Sequence, residues 1–196
     1  GIKRENDKVK FYFNKELQFF GGIAATSPPI VTNNLKKQFA YILIAGPLSS
    51  LIFGALFLFL YSITDSIFNA SLGITGIISL GLFLATTLPS KSGAFFTDRK
   101  RMQRLLDKGR IGDIEYSFLK TTSQLLIDSH YKNISLEDLK LIQSDREPII
   151  QFWGHYYELK YFEETGDEEK VLTIKNNLSQ FKEIVPSTIW KSLLID

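Results

Sequence analysis

Few residues in this chain have types and spacing that could do chemistry. Asp98 is the one carboxylate close behind a pair of long uncharged stretches, in the run Thr97-Asp98-Arg99. An acidic side chain at membrane depth is costly unless paired, which marks it as a functional candidate. The same residues also allow a helix cap, with Asp98 and Arg99 as a solvated pair, and on the residues alone this is the commoner arrangement. His130 and His155 are the only histidines and lie far apart. The run FWGHYYELKYF around His155 has no further ligand nearby, so both histidines read as structural. Cysteine is absent, which excludes disulfides and thiolate zinc sites. No phosphate-cradling loop, nucleophile elbow or HExxH occurs in the chain.

The elements that must position Asp98 are set by hydropathy. Phe39 to Ile63 carries no charge, and about 25 helical residues exceed a hydrocarbon core of roughly 30 Å. Residues 70–88 form a second uncharged stretch, so spans at about 39–63 and 70–88 make a transmembrane helical hairpin. The mean hydropathy of +0.01 conceals this, because a charged C-terminal half averages it away. Residues 1–110 hold 14 Lys/Arg against 6 Asp/Glu, and residues 111–196 hold 9 against 15. That split divides the chain into a membrane-embedded domain, 1–110, and a cytoplasmic helical domain, 111–196. Lys36 and Lys37 precede the first span and seven Lys/Arg follow the second, whereas the connection has only Asp65. The positive-inside rule therefore puts both outer ends in the cytoplasm. Nucleic acid is not needed to explain these cations. The cysteine-free composition suits a multipass protein of a bacterial cell membrane. Met102 is the only methionine, so a processed, trimmed or fragmentary N-terminus is expected.

Residues 8–13 (KVKFYF) alternate as a strand does, Asn14-Lys15-Glu16 suits a turn, and residues 17–20 suit a return strand. A short β-hairpin is thus expected before the first span. Gly46, Ser50 and Gly54 recur every four residues, a ridge that lets another helix approach closely. Pro47 marks a kink or first turn and Pro89 ends the second span. The region from 111 onward reads as antiparallel helical pairs of a loosely tetratricopeptide-like kind. Ile114, Phe118 and Leu125 share one face. Ser135 to Asp138 resembles a capping box. Pro148 opens a helix to about Glu164, with Phe152, Tyr156 and Leu159 inward. Thr165-Gly166-Asp167 is a junction, and Val171, Ile174, Leu178, Phe181 and Val185 form the next stripe. Such pairs usually bind a protein partner.

Gly21-Gly22-Ile23-Ala24 followed by Ala45-Gly46-Pro47-Leu48 resembles the site-2 protease class of intramembrane zinc metallopeptidases. In that family a β segment leads into a span opening with Ala-Gly-Pro. The next span ends in Asn-x-x-Pro, and an Asp-Gly loop follows. Here Thr86-Thr87-Leu88-Pro89 and Thr97-Asp98-Arg99 stand at those places, so Thr86 replaces Asn and Arg99 replaces Gly. The resemblance covers about residues 8–105 and omits the C-terminal helices. It implies a zinc metalloendopeptidase that cleaves a membrane-protein substrate. Asp98 would be a zinc ligand, with the family's HExxH helix and both histidines lying upstream of residue 1, so that the chain alone is inactive. Gly21 and Gly22 would help hold substrate, and Gly46, Pro47 and Pro89 would shape the spans. The alternative is a non-catalytic membrane scaffold, a degenerate homologue whose C-terminal helices recruit a cytoplasmic partner.

Overall fold

The computed structural model describes residues 2–5, 8–11, 34–65, 67–92 and 95–193. The molecule is mainly helical. Near the N-terminus β1 (Ile2–Glu5) pairs antiparallel with β2 (Lys8–Phe11), Ile2 opposite Phe11 and Glu5 opposite Lys8. Over 8–11 the alternation falls on a strand whose partner precedes it, and residues 12–13 lie outside the described residues. The return strand expected at 17–20 lies outside the described residues.

Helix α1 (Leu35–Ile63, 29 residues) and helix α2 (Asn69–Thr87, 19 residues) are long and apolar enough to cross a membrane. Only 11% of the most hydrophobic window of each is buried, so neither is the core helix of a soluble fold. Side chains such as Ile52, Phe59, Ile77 and Leu84 stand exposed, which in water would be a large unfavourable surface. Pro47 sits inside α1, and the helix runs through it.

The two helices approach through glycine. A Cβ placed on Gly54 would lie 2.7 Å from Leu80 Cδ2, and one on Gly76 would lie 2.8 Å from Leu58 Cγ and 3.1 Å from its backbone nitrogen. Gly73 faces Tyr61 in the same way. These pairs fix an antiparallel register that sets Pro47 level with Thr87. Of the expected ridge, Gly54 meets α2, whereas Gly46 meets a different element described below. Gly76→Leu should separate the helices and cost about 1–3 kcal/mol, read as a lower melting temperature in detergent. Gly81→Leu is the control, because nothing lies within 4 Å of its Cβ position. Equal losses from both variants would refute the packing argument.

Because α2 ends level with Pro47, α1 projects beyond it by about 12 residues, roughly 18 Å. This extension is not bare. Leu35, Phe39 and Leu43 are spaced by four and buried, and they pack with Leu105 and Leu119. Two short strands paired antiparallel, β3 (Lys91–Ser92) and β4 (Phe95–Phe96), lead to α3 (Asp98–Leu106), which supplies Leu105. Helix α4 (Arg110–Asp128) supplies Leu119 on one face and Ile114 on another.

A 3-10 turn (Tyr131–Asn133) joins α4 to α5 (Leu136–Gln143), and α6 (Pro148–Thr165), α7 (Glu168–Ser179) and α8 (Ser187–Ser192) complete the fold. Their core gathers Leu139, Phe152, Leu159, Ile174, Leu178 and Phe181, so the inward stripes lie where the periodicity puts them. Ser135 Oγ accepts from Asp138 N at 3.3 Å, but the reciprocal half of a capping box is missing. The Asp138 carboxylate instead accepts from Ser117 Oγ at 2.8 Å and Lys120 Nζ at 2.7 Å. Gly166 ends α6 with φ +80, a left-handed conformation that suits glycine, and Asp167 caps α7 through Lys170 N.

Candidate functional site

The turn after α2 aims the chain back at the helical hairpin. Pro89 follows the last turn of α2, and Thr97 then clamps the loop. Its hydroxyl donates to Leu88 O at 2.9 Å and accepts from Ser90 N at 3.1 Å. Spent in this way, Thr97 gives α3 no side-chain cap, and Asp98 is the acidic residue of the first turn. A carboxylate there is favoured by the helix dipole.

The aspartate is thereby set against α1. A Cβ placed on Gly46 would lie 3.9 Å from Asp98 Oδ2, an ordinary van der Waals contact. Gly46 and Asp98, distant in sequence, are neighbours at the end of the hairpin where α2 stops. Burial pushes the Asp98 carboxyl above its usual range, while Arg101 pulls the other way. The expected pairing with Arg99 is not what forms: Arg99 is exposed, and Arg101 is the cation that acts on Asp98.

The other sequence-derived positions are less engaged. Gly21 and Gly22 lie outside the described residues. Thr86 spends its hydroxyl inside α2, on Leu82 O at 2.9 Å and Phe83 O at 3.2 Å, so it offers no group comparable to an Asn carboxamide. His130 Nδ1 lies 2.6 Å from Glu164 Oε1, and Lys132 N donates to Glu164 Oε2 at 2.9 Å. The Lys132 amide and then His130 hold the Glu164 carboxyl below its usual range. His155 stacks near Phe181, its Nδ1 3.8 Å from Glu158 Oε2, too far for a hydrogen bond. Among the described residues no group of three His, Cys, Asp or Glu could hold a metal ion. Asp98 alone does not fit a zinc site, since even an open catalytic site takes three protein ligands.

A second polar cluster lies one helical turn and more along α3, where the sequence shows only a run of charge. Arg104 is 7% exposed, Glu115 1% and Asp145 3%. Arg104 Nε donates to Glu115 Oε2 at 2.9 Å, and Arg104 Nη2 donates to Asp145 Oδ2. Arg101 Nε donates to Glu115 Oε1 at 3.2 Å, so the glutamate is bridged by both arginines. Asp145 Oδ1 accepts from Glu147 N at 2.8 Å, which ties the cluster to the turn before α6. The guanidinium of Arg104 also lies over Phe96, and that of Arg101 over Phe39. Burial works against the Arg104 charge, but its hydrogen bonds to the Glu115 and Asp145 carboxylates outweigh it and hold its pKa above the ordinary value. Three elements are therefore locked together: α3, α4 and the α5–α6 turn. The spacing of Arg101, Arg104 and Leu105 on one side of a short helix was the available signal.

A cavity of about 110 Å³ between α4, the 3-10 turn and α5 is lined by Lys120, Thr121, Gln124, Asn133, Ser135 and Asp138. It is below the few hundred Å³ of a cofactor pocket. No protein-family model, curated protein or solved structure matches this chain.

Proposed function

We propose that this chain is part of an intramembrane zinc metallopeptidase, running from the Ala-Gly-Pro helix through an aspartate ligand into a helical interaction domain. The approach of Asp98 to Gly46 supports this reading. The two elements that carry the resemblance meet at one end of the apolar hairpin, where such an enzyme needs its ligand. In this reading α1 and α2 cross the cell membrane, residues 64–68 face outward, and α3 to α8 are cytoplasmic. The substrate is a membrane protein that unwinds locally before its backbone is cut. Asp98 contributes one carboxylate, and the family's two histidines and glutamate would lie upstream of residue 1. No hydrolytic step can be written from the described residues, because they hold only that one ligand.

The test is made in the full-length natural protein. Asp98→Asn should lower zinc from stoichiometric to near zero and abolish cleavage of a membrane substrate, with an unchanged melting temperature in detergent. Stoichiometric zinc with full cleavage would overturn the assignment. Exposed Arg99 should tolerate change to Gly with zinc retained.

A second reading is a non-catalytic scaffold whose tetratricopeptide-like helical pairs, α4–α5 and α6–α7, recruit a cytoplasmic protein. The Arg104 cluster favours it, since it ties α3, whose Leu105 packs on the α1 extension, to α4 and the α5–α6 turn, so that a partner would be carried rigidly at the membrane. Thr86 and Arg99, both departures from the family pattern, point the same way. A full-length protein without zinc, indifferent to Asp98→Asn, would select this reading.

A further inference from the structure

We propose that the rim of the helical hairpin binds anionic phospholipid headgroups through Arg99 and Lys100, an inference that rests on the membrane reading above. Helix α3 carries four cations in its first seven residues, and the fold divides them. Arg101 and Arg104 turn inward onto Glu115, Asp145 and two aromatic rings. Arg99 is exposed and Lys100 partly so, and among the described residues neither has a carboxylate within ion-pair reach. Asp98, adjacent in sequence, does not neutralise them, because it is drawn against Gly46 and answers to Arg101.

Their depth is what makes them lipid ligands rather than solvated charge. Asp98 lies beside Gly46, so the first turn of α3 is level with Pro47 and with the end of α2. From Pro47 to Ile63 is about 17 residues, roughly 26 Å, and α2 is close to that length, which matches a hydrocarbon core of about 30 Å. Arg99 and Lys100 therefore sit where headgroup phosphates lie. The two lysines of the α1 extension do not. Lys36 lies over the Tyr116 ring. Lys37 is about 10 residues below Pro47, roughly 15 Å away and beyond a physiological screening length of about 8 Å.

The experiment uses the full chain in vesicles of phosphatidylcholine, with or without about 30% phosphatidylglycerol. Spin-labelled lipid of each kind reports relative association with the protein surface. Phosphatidylglycerol should be preferred, and the preference should fall about fivefold for each charge removed by Arg99→Gln or Lys100→Gln. Lys36→Gln/Lys37→Gln should leave most of it. A chain that fails to float with phosphatidylcholine vesicles would sink the membrane reading and this proposal with it. A chain that floats but shows no phosphatidylglycerol preference, or keeps it in the Arg99→Gln/Lys100→Gln variant, would overturn the proposal alone.

Discussion

Replacing Arg104 by methionine is expected to cost about 3–5 kcal/mol of stability, the range for removing one partner of a buried ion pair. Methionine fills much of the space but supplies no donor. Glu115 would keep Arg101, whose guanidinium is partly exposed, as a single counterion. Asp145 would keep the Glu147 amide and lose its only charged partner among the described residues. An unpaired carboxylate at 3% exposure must then be hydrated by opening the structure. The loss should appear in denaturant unfolding followed by circular dichroism in detergent. Replacing the whole cluster, Arg104→Met with Glu115→Leu and Asp145→Leu, should recover most of it, since apolar substitutes for a buried charged group can be neutral. A single-variant loss under about 1 kcal/mol would mean that water already reaches the cluster. The same contacts bear on where the chain divides. A cut at residue 110 leaves Glu115 and Asp145 without Arg101 and Arg104, so a stable soluble fragment should begin before α3.

The sequence made some of this legible and hid the rest, for physical reasons. The spans are readable because an uncharged run is a one-dimensional property that needs no partner to interpret. Local chemistry is readable for the same reason: Gly166 at a left-handed position and Ser135 at a helix start act on backbone within a few residues. Helix α3 was not readable as a packed element. DRKRMQRLL looks like solvated juxtamembrane charge until Glu115 and Asp145 are brought to it, and Asp145 is 41 residues away from Arg104. The β segment shows the same limit. Alternation locates β2, but nothing in Lys8–Phe11 says which neighbour pairs with it. Asp98 stands out in the sequence by its rarity and by resemblance, whereas its contact with Gly46 depends on Thr97 folding the loop back.

Gly112→Ala is expected to destabilise the protein by about 3 kcal/mol, at the top of the range for overpacking. The sign is the informative part. Gly112 lies in the first turn of α4, and Gly→Ala inside a helix ordinarily stabilises by up to about 1 kcal/mol. Here a Cβ would lie 2.0 Å from Asp107 O and 2.9 Å from Asp107 C. Both are backbone atoms at the end of α3, and Asp107 is held there by its amide on Arg104 O at 3.2 Å. Nothing flexible can move aside, so α3 and α4 must separate by more than an ångström. Glu115 follows three residues later in α4, so the same separation stretches its bonds to Arg101 and Arg104. The loss should therefore be less than additive with Arg104→Met, because both act on one junction. Gly109→Ala is the comparison. Its Cβ would meet only Asp107 Oδ1 at 3.2 Å, the end of a side chain that can turn, and the cost should stay under about 1 kcal/mol. A melting temperature for Gly112→Ala at or above that of the parent would show that the junction yields freely. The α3–α4 contact would then not be what holds the helical domain to the α1 extension.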